Sequence, residues 1–161
     1  MAADTVTIDL PEPRYMLVDC KREGLPEVIS INSALLPFPH IAIFPWCLRI
    51  RMFFHEVADN GMPTPEESKI LFEVADELED SMLGVRTKYG CPNALFLARS
   101  TWNEVRELYF MVHDPESADV ALKGLLDSRK WTREWEYRMD HDPDWEEASF
   151  IFKLLAPNKP S

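Results

Sequence analysis

The chain of 161 residues carries 28 acidic and 17 basic side chains, which gives a formal net charge of −11. Nucleic acids and anionic membranes are bound through Lys and Arg, so this charge argues against both as partners. Hydrophobic residues make up 46% of the chain, enough to build a core, and the length suits one domain. We therefore predict a single domain over residues 14–155, between a flexible arm at residues 1–13 and a tail at residues 156–161.

Sequence features also indicate the compartment. The three cysteines, Cys20, Cys47 and Cys91, are odd in number and form no CxxC pair, which is typical of reduced thiols in the cytoplasm. The N-terminus lacks the basic and apolar regions of a signal peptide, and the most apolar stretch, residues 41–54, is too short to span a bilayer. The five glycines are scattered and form no phosphate-binding loop, so no cofactor is predicted.

The first half of the chain is predicted to form a hairpin, a strand and a helix. Two β-like runs at residues 14–20 and 25–31 flank a turn that contains glycine, which predicts the hairpin. Apolar residues alternate over residues 46–57, the pattern of a half-buried strand. The helix, predicted over residues 65–82, begins with the capping-box sequence Thr64-Pro65-Glu66-Glu67.

The second half is predicted to contain three strands and two helices. Apolar runs at residues 93–101 and 104–112 predict a second hairpin. A second helix starts at Asp114-Pro115, and alternation predicts the last strand over residues 132–139. Asp142-Pro143 starts a final helix that ends near residue 155.

This order of elements predicts an α+β fold. It is a ferredoxin-like βαββαβ sandwich, with an added N-terminal β-hairpin and a C-terminal helix. Right-handed crossovers would place both central helices on one face of an antiparallel sheet, with the last strand beside the first. Arg49 and Arg51 would then lie opposite Glu134 and Glu136 on adjacent strands.

Three landmarks follow one another in a characteristic order: the helix at residues 67–78, the segment 98–110, and the sequence Asp142-Pro143-Asp144-Trp145. Together they resemble a bacterial family, domain of unknown function 695 (DUF695), which is similar to the type B regulator of ribonuclease E activity, an acidic inhibitor protein. The resemblance covers roughly residues 60–155. It departs at residues 148–150, where the family often has a Tyr and this chain has none. It implies a ferredoxin-like regulator and supplies no catalytic residue.

The acidic excess is confined to two segments. Residues 64–82 and residues 134–147 each hold seven acids and one base, so each carries −6, and the rest of the chain is nearly neutral. Five acids of these segments are predicted to contact a partner: Glu73, Glu77, Asp80, Asp140 and Asp144.

Three further side chains outside these segments are predicted to contact the partner. Trp102 and Trp131 have no evident buried position, and exposed tryptophans are favoured interface anchors. The alternative is that both pack over loops. Arg106, in the second hairpin, is either an anion hook or half of a cross-strand ion pair.

Three other motifs could carry chemistry, and each has a simpler structural explanation. Residues 140–144 contain three carboxylates, the ligands that a hard cation prefers. The segment does not match the spacing of an EF-hand, however, and Asp142 is well placed to cap a helix. His55-Glu56 matches only the first half of a zinc-hydrolase motif. Cys91 has no histidine nearby in sequence to act as its base, so an inert thiol is expected. We predict no catalytic residue and no metal site.

The favoured hypothesis is a non-enzymatic, protein-binding regulatory domain. It would be an inhibitor or immunity protein whose acidic surface occludes a basic partner, either ribonuclease-like or a toxin. Two alternatives stay open: a carboxylate- or metal-dependent hydrolase that uses residues 140–144, and a housekeeping domain whose charge serves solubility. The sequence specifies neither the partner nor the oligomeric state.

Overall fold

The computed structural model describes residues 8–36 and 38–155, which form a six-stranded sheet and three α-helices. The strands are β1 (Tyr15–Arg22), β2 (Leu25–Asn32), β3 (Trp46–Phe53), β4 (Ala94–Trp102), β5 (Val105–Val112) and β6 (Trp135–His141). The helices are α1 (Pro65–Gly84), α2 (Pro115–Ser128) and α3 (Glu146–Phe152). The strand order is β1-β2-β4-β5-β3-β6, and all neighbours are antiparallel. The mixed α+β class is therefore confirmed, and β6 lies beside β3.

Helices cover both faces of the sheet. Leu48 and Ile50 of β3 pack in one core cluster with Leu71 and Leu78 of α1, and the buried residues of α2 belong to the same cluster. Cys47 of β3 belongs to a second cluster, which contains the buried residues of α3. Because side chains alternate between the two faces of a strand, the same strands serve both layers. We call these the α1–α2 side and the α3 side.

β4 contains a one-residue bulge at Leu97. Its pairing with β5 shifts by one residue between Phe96 and Ala98, and such an extra residue reverses the alternation of side chains. Phe96 packs on the α1–α2 side, whereas Leu97 and Ala98 are both buried on the α3 side. Beyond the bulge, Arg99 therefore points back to the α1–α2 side.

α1 and α2 begin at the residues that the sequence predicts as caps, whereas α3 begins at Glu146, beyond its predicted cap Asp142. The Thr64 hydroxyl accepts a hydrogen bond from the backbone N–H of Glu67 at 3.2 Å, and the Asp114 carboxylate accepts from the N–H of Glu116 at 3.1 Å. Asp142 accepts from the N–H groups of the first two residues of α3, at 2.8 and 3.0 Å. These bonds satisfy donors that a helix N-terminus leaves free.

α3 is shorter than predicted because a left-handed residue precedes it and a 3₁₀ turn follows it. Trp145 adopts a left-handed φ of 54° before the helix, and the chain after Phe152 continues as a single 3₁₀ turn, Lys153–Leu155. The Trp145 indole is buried, donates to the carbonyl of Phe44 at 2.8 Å and stacks on Phe38. This indole anchors α3 to the connector that precedes β3.

Part of the predicted arm is packed on the domain. Ile8 is buried on the α3 side, and its backbone N–H donates to the carbonyl of Tyr89 at 3.2 Å. Leu10 packs against the same cluster, because each apolar side chain gains burial there. The rest of the predicted arm, residues 1–7, and the predicted tail at residues 156–161 lie outside the described residues.

The strand predicted over residues 46–57 ends at Phe53, because the Glu67 side chain takes over a backbone hydrogen bond just beyond it. The backbone N–H of His55 donates to the Glu67 carboxylate at 2.9 Å instead of to a neighbouring strand. Arg133 donates to the same carboxylate through Nε at 2.6 Å and through Nη2. Only half of the predicted capping box forms, since this carboxylate turns away from the cap to join α1 to the segment before β6.

Glu67 is buried and carries a charge, so its partners decide its contribution to stability. The Glu67 side chain is 1% exposed, and the Arg133 side chain is 11% exposed. Hydrogen bonds from Arg133, more than any other cause, hold the pKa of Glu67 below its ordinary value. Such a pair stabilises the fold at pH values above the pKa of Glu67 in the unfolded state, about 4.3. The contribution is lost as the pH falls through the pKa of Glu67 in the folded state.

We predict that Glu67→Gln lowers the free energy of unfolding at pH 7 by about 2–4 kcal/mol, because it leaves Arg133 without its counter-charge. Urea unfolding of both proteins between pH 7 and pH 3 measures this, and the difference shrinks as the pH falls below about 4.3. The control is Glu66→Gln, an exposed neighbour, with an expected change within about 0.5 kcal/mol. A difference that does not change with pH would contradict the charge-based explanation.

Candidate functional site

The outer side of α1 carries the first acidic segment. We define the α1 acidic face by five acids that lie off the buried stripe of the helix: Glu66, Glu73, Asp76, Glu77 and Asp80. Of these, only Glu77 has a cationic nitrogen within 4.0 Å among the described residues, and that nitrogen belongs to Arg129, at 2.6 Å. Four of the five acids therefore have no ion pair within the described residues, and most of the negative charge of this face is uncompensated. Beside the face, burial and the charge of Asp76 raise the pKa of Glu79.

Trp131 lies at one edge of the α1 acidic face. Its indole is half-buried, donates to the carbonyl of Leu125 at 2.9 Å and meets Trp135 edge to face. The guanidinium carbon of Arg129 lies 4.0 Å from the Trp131 ring centroid, and the same guanidinium pairs with Glu77. Two of the predicted contact residues, Glu77 and Trp131, are thus joined through an arginine that the sequence analysis did not select.

Trp102 lies elsewhere. It sits on the α3 side of the sheet at the turn between β4 and β5, and its indole donates to the carbonyl of Arg22 at 2.9 Å. The guanidinium carbon of Arg22 stacks 3.7 Å from the Trp102 ring centroid. Both tryptophans are held by backbone hydrogen bonds, which supports the alternative that they pack over local structure.

The second acidic segment faces the α3 side, and arginines pair with three of its seven acids, Glu136, Asp140 and Glu147. Arg51 lies opposite Glu136 in the strand register, with their charged atoms 3.5 Å apart, as the sequence analysis predicts. Arg49 lies opposite Arg138 instead of Glu134, because the two strands are antiparallel and Arg51 is already opposite Glu136. The remaining pairs within 4.0 Å are Arg49–Asp140, Arg49–Glu147 and Arg138–Asp140. The two acidic segments therefore occupy opposite faces of the sheet. Both acids of β6 are paired with arginines, whereas four of the five acids of the α1 acidic face are not paired within the described residues.

Asp140 and Asp144 lie apart from the other predicted contact residues. Asp140 is held in the arginine pairs above, and Asp144 is exposed beside an apolar groove that Phe38 and Trp145 line. In residues 8–36 and 38–155 there is no group of three or more His, Cys, Asp or Glu side chains arranged to hold a metal ion.

Two cysteines are buried. The Cys91 sulfur lies 3.3 Å from the Thr87 hydroxyl, in the loop between α1 and β4. Burial raises the pKa of the Cys47 thiol to about 12. A thiol acts as a nucleophile in its ionised form, so the Cys47 environment disfavours nucleophilic chemistry.

Arg106 projects from β5 towards the α1–α2 side, opposite Thr101 of β4. It is 4% exposed, and no carboxylate of the described residues lies within 4.0 Å of it. Arg106 therefore forms no cross-strand ion pair with any of the described residues. Two neighbours were missed, Arg99 of β4 and Phe72 of α1, and both guanidinium groups stack on the Phe72 ring. The sequence contained a signal for one of them, because a hairpin with a two-residue turn at Asn103–Glu104 places positions 99, 101 and 106 on one face.

Comparison with known protein families assigns this chain to one of them. The sequence profile of DUF695, described as a family of unknown function, matches residues 15–152. This chain therefore belongs to the DUF695 family. No curated protein and no solved structure matches it.

None of the helices in the described ranges has the length and apolar character that are needed to cross a bilayer. α1, the longest of them, carries seven acidic side chains.

We predict that Asp142 acts as a helix cap and binds no cation. Asp142→Ala should lower the free energy of unfolding by about 1 kcal/mol, with the same loss in EDTA as in millimolar Ca²⁺, Mg²⁺, Mn²⁺ or Zn²⁺. Thermal unfolding measures this, with Asp144→Ala as the exposed control. A cation-dependent rise in the wild-type Tm that Asp142→Ala abolishes would instead assign a metal site here.

Proposed function

We propose that this chain is a non-enzymatic regulatory domain that binds a basic protein through the α1 acidic face. The supporting observation is the contrast between β6 and α1. Arginines pair with both acids of β6, Glu136 and Asp140, whereas four of the five carboxylates of the α1 acidic face have no cation within 4.0 Å among the described residues. Unpaired like charges on a helix repel one another and cost stability, and a basic partner would relieve that cost.

The α1 helix is a rigid support for such a face. Leu71, Leu78 and Met82 are almost completely buried against the sheet, and the Glu67–Arg133 pair fixes the first turn. Complementary charge on a rigid surface speeds encounter and excludes acidic competitors. Trp131, with its stacked Arg129, would supply apolar contact at the rim of the same surface.

Several finer statements belong to this proposal. The domain would act as an inhibitor or immunity protein in the cytoplasm, where its free cysteines Cys20, Cys47 and Cys91 stay reduced. The unit from β3 to β6 would be a ferredoxin-like sandwich, which the strand order β4-β5-β3-β6 supports. A relationship to the type B regulator of ribonuclease E activity, which the sequence resemblance implies, is part of the same proposal, and ribonuclease E is therefore the first purified enzyme to test.

We predict that the triple variant Glu73→Gln, Asp76→Asn and Asp80→Asn binds its partner at least about tenfold more weakly at low salt, because three attractive charges are lost. The probes are purified ribonuclease E and any protein that a photo-crosslinker at position 73 captures in cells. Biolayer interferometry at several salt concentrations gives Kd and the association rate. The salt dependence of the association rate should also decrease in the variant.

The matched control removes the same charge elsewhere: Glu12→Gln, Asp19→Asn and Glu23→Gln, three exposed acids without a cation within 4.0 Å in the described ranges. Its affinity should stay within twofold of wild type. Equal weakening in both variants, or a complex insensitive to salt, would overturn the assignment of the α1 acidic face. Full activity of the triple variant in vivo would favour a charge that serves only solubility.

A further inference from the structure

A groove lies on the α1–α2 side of the sheet, between α1 and the β1–β2 hairpin. It arises because the hairpin extends the sheet beyond the region that α1 covers. The strand register aligns Leu17, Ser30 and Arg99 in one row across β1, β2 and β4, and Val28, Thr101 and Arg106 in the next. With Phe72 of α1, these rows enclose a volume of about 290 Å³, near the lower limit of small-ligand pockets, ~300 Å³. We call it the Arg106 groove.

Arg106 is the buried cation of this groove. Its Nε donates to the Thr101 hydroxyl at 3.1 Å, whereas its buried Nη1 has no hydrogen-bond partner among the described residues. A buried guanidinium is ordinarily paired, because leaving its N–H groups without acceptors is costly. Arg106 is one of the residues that line the groove, so an acceptor at its inner end would lie beside this guanidinium and could satisfy Nη1.

Arg99 adds a second cation at the same place. The guanidinium carbons of Arg99 and Arg106 lie 4.7 and 4.5 Å from the centroid of the Phe72 ring, so one aromatic side chain orients both. Neither arginine forms an ion pair within the described residues. Burial lowers the pKa of Arg106 to about 10, and the nearby charge of Arg99 adds to this shift.

The sheet supplies an apolar wall beside these cations. Leu17 is 69% exposed although it lies in the middle of β1, and Val28 and Phe72 are partly exposed next to it. An apolar ligand body would bury these side chains, which gains free energy in proportion to the area removed from water. The groove therefore combines a charged end with an apolar end.

We propose that the Arg106 groove binds a small organic anion, with its carboxylate or phosphate on Arg106 and Arg99 and its apolar body against Leu17, Val28 and Phe72. Guanidinium groups bind both kinds of oxyanion through paired N–H donors, and Phe72 holds them ready for this geometry. The net charge of −11 repels anions from the surface as a whole, so retention of an anion here requires a specific site. This site is independent of the α1 acidic face and of a protein partner.

Isothermal titration calorimetry with defined probes tests the proposal. The probes are 3-phenylpropionate, phenyl phosphate, the neutral 3-phenylpropanol, acetate and inorganic phosphate. At least one aromatic anion should bind at least tenfold more tightly than the neutral alcohol and than the anion that lacks a ring. The ratio between 3-phenylpropionate and phenyl phosphate then tells which oxyanion the groove prefers. NMR signals of the Arg99 and Arg106 Nε–H groups should shift on binding.

Variants separate this site from general charge effects. Arg106→Lys keeps the charge and removes the fork of donors, and Arg99→Gln removes the less buried cation; each should weaken binding about 10- to 100-fold. The control is Arg14→Gln, an exposed arginine outside the groove, which should leave affinity within twofold. Circular dichroism verifies folding, and Arg99→Gln carries the test if Arg106→Lys does not fold. Binding no stronger than that of the neutral alcohol, equal weakening by Arg14→Gln, or binding only of acidic peptides would overturn the proposal.

Discussion

The bulge at Leu97 decides which side chains of β4 reach each side of the sheet. Before it, Ala94 and Phe96 pack beneath α1 and α2; after it, Arg99 stacks on Phe72 at the end of the sheet that α1 leaves open. In a regular strand, Phe96 and Arg99 would lie on opposite sides of the sheet, because they are three residues apart. The bulge therefore lets the buried apolar residues of the first half of β4 share one side of the sheet with the cationic groove that its second half forms with β5.

The same sheet explains why two acidic segments of equal charge form different surfaces. The acids of β6 lie beside Arg49 and Arg51 of the central strand β3, within ion-pairing distance. The acids of the α1 acidic face point away from the sheet, and among the described residues only Arg129, which follows α2, pairs with one of them. The surface around α1 therefore carries both signs of charge. The acids of the α1 acidic face point outwards, and the Phe72 side chain on the flank of α1 contacts the guanidinium groups of two arginines.

Much of the fold was predictable from local signals. Caps with a following proline marked the starts of α1 and α2, because such side chains accept bonds from free helical N–H groups. Alternation located β3 and β6, and two apolar runs located the hairpin of β4 and β5, although its turn lies at Asn103–Glu104, one residue later than predicted. The Glu67–Arg133 pair was not predictable, since it joins positions 66 residues apart and replaces the capping-box bond that the local sequence favours.

The sequence by itself determined the elements, the α+β class and the family, because periodicity, caps and turns act over a few neighbouring residues. Only the tertiary structure decided which charges meet. Arg49 pairs with Glu147 and not with Glu134, and Arg106 meets another cation, because strand ends, a bulge and helix placement depend on packing across the whole sheet. Ion pairing is set by distances of a few ångströms, and chain order does not fix those distances.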